Sequence, residues 1–151
     1  MIEKVISGGQ TGVDRAALDV ALALKIPCGG WCPNGRLAED GPLDPKYPLK
    51  ETPDSTYSQR TEWNVRDSDG TLILYRNDLS GGTSLTVGLA AQYRKPHLIL
   101  DLSQHPLPTT FLKWSQKKQI KILNVAGPRE SGALNIHNQA SIFLRTAFSL
   151  I

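Results

Sequence analysis

Glycine and arginine recur together at a few points in this sequence. The first is Gly8, Gly9, Gln10, Thr11, Gly12, Asp14 and Arg15. Others are Arg76, Asp78, Gly81, Gly82 and Thr83, then Gly127, Pro128, Arg129 and Glu130, with Arg36 standing apart. A glycine bend that opens a helix exposes backbone N–H groups, and the helix dipole adds positive potential there. Arginine makes charge-assisted bonds to phosphate oxygens. Together these residue types point to a phosphate or pyrophosphate. Gly8 and Gly9 permit a tight turn, Gly12 permits close approach of a ligand or strand, and Thr11 adds a hydroxyl donor. The spacing is neither the dinucleotide fingerprint nor a Walker A loop. A turn needed only for packing is the bland alternative at the first bend. Solvation at the surface is the alternative for Arg15, Arg36, Arg76 and Arg129.

Other candidates are fewer. Asp14, Asp78 and Glu130 could serve as acids, bases or ribose-hydroxyl acceptors, or equally as carboxylates favoured at helix starts. Cys28 and Cys32 have no second ligand pair at zinc spacing, and His97, His105 and His137 are scattered, so neither a metal site nor a Cys–His nucleophile is assigned. No residue is assigned a catalytic role. Trp31 ends an expected strand and is placed to stack on a flat ring, while Trp63 and Trp114 read as packing residues.

Such loops need elements to hold them. Apolar runs at 4–7, 28–31, 71–75, 97–102 and 121–125 read as five strands. The runs at 72–74 and 98–100 are continuous rather than alternating, as in a parallel sheet buried on both faces. Helical spacing links Val13, Ala17, Val20 and Leu24, then Leu85, Leu89 and Ala90, then Phe111 and Trp114, then Ile136, Ala140, Phe143 and Ala147. Residues 57–66 read as a further helix, capped near Ser55 or Thr56. The alternation predicts an α/β fold: a three-layer sandwich with a mostly parallel sheet of five or slightly more strands and helices on both faces. Ligands of such sheets bind at the carboxyl ends of the strands, where strand order reverses. The two glycine bends are expected on neighbouring strands there. Residues 32–54 hold five prolines, so little regular structure is expected, and a loop this long suggests a binding loop or lid.

Length and composition set the outer bounds. The chain has 151 residues, which suggests one domain over 1–151. With 40% hydrophobic and 21% charged residues it should fold around a core. No apolar run approaches a membrane span, and no leader pattern opens the chain, so a cytoplasmic protein without a membrane partner is expected. The net charge is only +3, and the densest basic stretch, Lys113, Lys117, Lys118 and Lys121, suits a helix end rather than a nucleic-acid face.

Several stretches, namely 8–19, 60–65, 68–72, 81–83 and 124–131, resemble the molybdenum cofactor carrier family. That family is grouped with Rossmann-like proteins that include the Lonely-Guy phosphoribohydrolases, once labelled lysine decarboxylases. The resemblance implies a Rossmann-like fold and self-association, as a dimer or tetramer. It also implies binding of molybdenum cofactor (molybdopterin, a phosphorylated pterin) for carriage rather than turnover. The matching turns carry Gly9, Gln10, Thr11, Gly12, Gly81, Gly82, Thr83 and Arg129 into the expected ligand site. Two departures stand out. The Lonely-Guy motif Pro-Gly-Gly-x-Gly-Thr-x-x-Glu lacks its glutamate here: none follows in place in the corresponding stretch, Ser80 to Val87. Ala133, Leu134 and Asn135 also stand where a Pro-Gly pair is usual. The expectation is therefore a binding protein for a phosphorylated heterocycle, held at the glycine turns by backbone amides. The alternatives are a sensor of ADP-ribose or a nucleoside phosphate, and a phosphoribohydrolase cleaving N-glycosidic bonds with Asp14, Asp78 or Glu130 as acid or base.

Overall fold

A computed structural model describes residues 1–79 and 81–151. Its elements run β1 (Lys4–Ile6), α1 (Val13–Ala23), β2 (Cys28–Gly29), β3 (Trp31–Cys32), β4 (Lys50–Glu51), α2 (Tyr57–Arg66), β5 (Gly70–Tyr75), α3 (Gly81–Gln92), β6 (His97–Asp101), α4 (Pro108–Lys117), β7 (Ile122–Ala126) and α5 (Ile136–Phe148). Ser80, which begins the second bend, lies outside the described residues.

Five strands form one sheet in the order β2-β1-β7-β5-β6, and every pairing is parallel. This is the expected Rossmann-like α/β arrangement. In β5, Leu72, Ile73 and Leu74 are all fully buried, because both sheet faces are covered. Leu72 and Leu74 share a core with Leu123, Val125 and the inner faces of α1, α4 and α5. Ile73 points to the opposite face by the pleat. There α3 packs on β5, and α2 meets α3 through Val65, Leu89 and Ala90.

The chain moves outward from β1 to β2, crosses to β5 and β6, and returns to insert β7 between β1 and β5. The two glycine bends are therefore separated by one strand, not on adjacent strands as expected. The loop after β7 fills the gap between them and becomes the floor of whatever they enclose.

The run at 28–31 is not one strand. Gly30 has φ +124, and a side chain there would overlap the Ser7 carbonyl. The backbone kinks, and Trp31–Cys32 leaves the main sheet to pair with β4 in a small parallel sheet. The stretch 32–54 holds little regular structure, as expected: only Cys32 and Lys50–Glu51 are in strands. Proline keeps it free of helix, but burial organises it: Leu43, Tyr47 and Leu49 pack with Leu18, Cys32 and Ala38. The Arg36 guanidinium donates to the carbonyls of Leu43, Leu49, Asp44 and Tyr47. These bonds replace the ladder that a proline-rich segment cannot make with itself.

Candidate functional site

The β1–α1 bend is built around a buried carboxylate. Asp14, in the first turn of α1, has a side chain 4% exposed and pairs with Arg60 of α2 at 3.1 Å. Burial raises the Asp14 pKa; the Arg60 charge and the backbone amides of Gln10 and Gly127 act against that rise. Gly8 leaves room for this pair, because a Cβ there would overlap the Arg60 guanidinium. Gly12, with φ +81, brings α1 against the β7–α5 loop: a side chain would overlap the Pro128 carbonyl, to which the Val13 amide donates at 3.2 Å.

These contacts correct one expectation. The amides of the first bend turn inward. The Thr11 amide donates to Gln10 Oε1, and the Gln10 amide serves Asp14. The Thr11 hydroxyl is also committed, donating to Glu39 and accepting from the Glu130 amide at 3.1 Å. What the bend offers outward is a side chain. Gln10 is 5% exposed, and its Oε1 is fixed by the amides of Thr11 and Glu39. Its Nε2 has no hydrogen-bond partner among the described residues, and neither does Arg60 Nε. Buried donors without acceptors are costly, so this pair of orphaned N–H groups marks a place where an acceptor belongs.

Gln10 and Arg60 both line one cavity of about 330 Å³. Its walls are Gln10, Arg60, Arg76, Asp78, the second bend (Gly81, Gly82 and Thr83), the β7 loop (Gly127, Pro128 and Arg129), Gly132 and Ala133. Three arginines face one aspartate, and α3 begins at its rim. Side chains added at Gly81 or Gly82 would meet nothing, so that wall is open to a ligand. Arg76 donates to Gln139 at 2.7 Å and has no ion-pair partner among the described residues. Arg129 has only a distant partner, Glu39 at 4.0 Å. The cavity is small, electropositive and lined by convergent donors, which suits a compact anion.

The remaining expected residues lie elsewhere. Thr11, Gly12, Arg15 and Glu130 line a wider, open hollow of about 800 Å³ with Asp19, Glu39, Asp40, Tyr47 and His137. Arg15 is held by Asp40 in a two-pronged pair at 2.9 and 3.0 Å. Glu130 accepts from the amides of Asn135 and His137 and so caps α5. Asp19 joins Tyr47 and His137, accepting from the phenol at 2.5 Å and lying 2.8 Å from the ring nitrogen. This hollow is the larger of the two, yet four carboxylates line it, and an anion is repelled there. Gly9 and Asp14 lie in the interior beneath the bend. Trp31 borders a third hollow of about 170 Å³ with Pro48 and Lys50; its ring packs edge-on to Trp63 and donates to Asp67 at 2.8 Å. Arg36 is spent inside the proline-rich strap. Burial raises both cysteine thiols.

Arg60 was not singled out as a ligand candidate in the sequence, although it opens one of the stretches carrying the resemblance. Its partner Asp14 is 46 positions away, so no local pattern joins them. The departure before α5 has a simple outcome. Asn135 takes the left-handed conformation at φ 69, which asparagine tolerates better than most residues.

Comparison with known proteins bears on the whole chain. A crystal structure of a putative molybdenum carrier protein from Syntrophus aciditrophicus SB has 48% identity to this chain, covers 97% of it and 94% of its own length, and superposes with a TM-score of 0.93. No curated protein matches. The circularly permutated YpsA SLOG family matches residues 5–148. The fold, the bends and the match over nearly the full length agree, and the chain belongs to that family, as a molybdenum-carrier-like member.

Proposed function

We propose that this protein binds molybdenum cofactor as cargo. The phosphate would lie in the 330 Å³ cavity and the pterin would extend from it. The observation that carries this reading is the pair of buried donors without partners among the described residues, Gln10 Nε2 and Arg60 Nε, on residues that line the cavity with Arg76 and Arg129. A phosphate supplies acceptors for all four, and the start of α3 at Gly81 and Gly82 supplies amides at the open wall. The choice of cargo is supported by the 48% identity to the Syntrophus putative molybdenum carrier protein. The reading is carriage without turnover. The glutamate of the phosphoribohydrolase motif is missing after the second bend, and of the candidate carboxylates only Asp78 lines the cavity.

The test is a titration panel with thermal melting as readout. Molybdenum cofactor at a hundredfold excess over its dissociation constant should stabilise the protein by about 2.7 kcal/mol. AMP and ADP-ribose should do less, and no base should be released from AMP. Stabilisation by a nucleotide but not by the cofactor would move the assignment to a nucleotide sensor. Released base would make the protein an N-glycosidic hydrolase.

A further inference from the structure

Tyr57 opens α2 one turn before Arg60 and is not part of the cavity wall. The Arg60 guanidinium carbon nevertheless lies 5.4 Å from its ring centre, and that of Arg129 lies 5.3 Å from the same centre. The two arginines come from different elements, α2 and the β7–α5 loop, and each carries a full positive charge. Near one ring, like charges repel, and their other restraints leave them incompletely held. Arg60 is anchored by one nitrogen to Asp14, and Arg129 has Glu39 only at 4.0 Å. The ring is the feature both share. Its negative π-face offsets the repulsion and fixes both cations without occupying the hydrogen-bonding edges that a phosphate needs. A carboxylate in the same place would neutralise them and compete with the ligand.

We propose that Tyr57 is a positioning residue for anion binding, holding Arg60 and Arg129 at the cavity through its aromatic ring and not through its hydroxyl. This rests on the reading of the cavity as a phosphate site. The role predicts a particular pattern of substitutions. Tyr57→Phe keeps the ring and keeps affinity. Tyr57→Leu fills similar space without a π-face and loses it.

The experiment is calorimetric titration of inorganic phosphate into the wild type, Tyr57→Phe and Tyr57→Leu, with circular dichroism to establish that each is folded. Two partly exposed cation–π contacts set the scale: Tyr57→Leu should weaken phosphate by about 5- to 30-fold, and Tyr57→Phe by less than about 2-fold. If Tyr57→Leu does not fold, Tyr57→Met takes its place. In an Arg129→Ala background the leucine substitution should cost less than it does alone, because one of its two clients is gone. A general loss of structure would not give that non-additivity. Unchanged affinity in Tyr57→Leu, an equal loss in Tyr57→Phe, or full additivity with Arg129→Ala would each overturn the proposal. If the wild type itself fails to bind phosphate, the reading of the cavity falls and this role falls with it.

Discussion

Gly12 and Gly82 occupy the two bends and do opposite work. At Gly12 the backbone holds φ +81 with the Pro128 carbonyl against it, so the missing side chain is a condition of folding. Gly12→Ala combines a strained backbone with a steric overlap and should cost about 3 kcal/mol or more. At Gly82 a Cβ meets nothing, and alanine is the better helix former by up to about 1 kcal/mol. Gly82→Ala should therefore melt no lower than the wild type, yet bind phosphate at least about tenfold more weakly, because the new methyl narrows the cavity mouth. Parallel melting curves and phosphate titrations on the two variants check both halves. Unimpaired binding by Gly82→Ala would remove the second bend from the site. Read as sequence, the two glycines look alike. The difference lies in what the fold brings opposite each, and no spacing rule encodes the position of Pro128. The same holds for Gln10, whose side chain takes over the outward role that the bend's amides were expected to play.

The strap, the first bend and the β7–α5 loop meet at Glu39. Its carboxylate accepts from Thr11 and from the amide and hydroxyl of Ser131, and its own amide donates to Gln10. Burial on its own would raise the Glu39 pKa. The hydrogen bonds from Ser131 and Thr11 and the charge of Arg129 outweigh it and hold the carboxyl below its usual range. A carboxyl with a lowered folded-state pKa binds protons more readily when unfolded, so its contribution is present above the unfolded value and is lost as pH falls through the folded one. Asp14 has the opposite sign, because burial raises it. The stability gap between wild type and Glu39→Gln should therefore narrow as pH falls from about 5 to about 3. The wild type should lose more of its melting temperature over that range than the variant does, and equal slopes would show that the junction is not stabilised by the ionised carboxylate. At this scale the sequence was informative where elements are long or continuously apolar. The runs behind β5, β6 and β7, and the helical spacing of α1 and α5, placed those elements within a residue or two. It was silent on β3 and β4. Strands of two residues have no periodicity, and their pairing depends on the kink at Gly30 and on the small core around Leu43, Tyr47 and Leu49.

Across the whole molecule, charge is divided unevenly around one sheet edge: arginines outnumber Asp78 in the cavity, and carboxylates outnumber Arg15 in the neighbouring hollow. Arg60, Arg76 and Arg129 face the cavity between the bends, while Asp19, Glu39, Asp40 and Glu130 face the neighbouring hollow. A net charge of +3 conceals this partition. No helix of the described residues is long and apolar enough to cross a membrane. The parallel order β2-β1-β7-β5-β6 creates the partition by carrying β7 back between the two bends, so that Arg129 meets residues from both. The account stands on the claim that the protein recognises its ligand by an anionic group in that cavity. The most direct measurement is a pair of calorimetric titrations, one with a phosphorylated pterin and one with the same pterin after removal of its phosphate. The account predicts saturable binding of the first and at least about a hundredfold weaker binding of the second, since several charge-assisted hydrogen bonds are lost together. Equal affinity for the two compounds would contradict it.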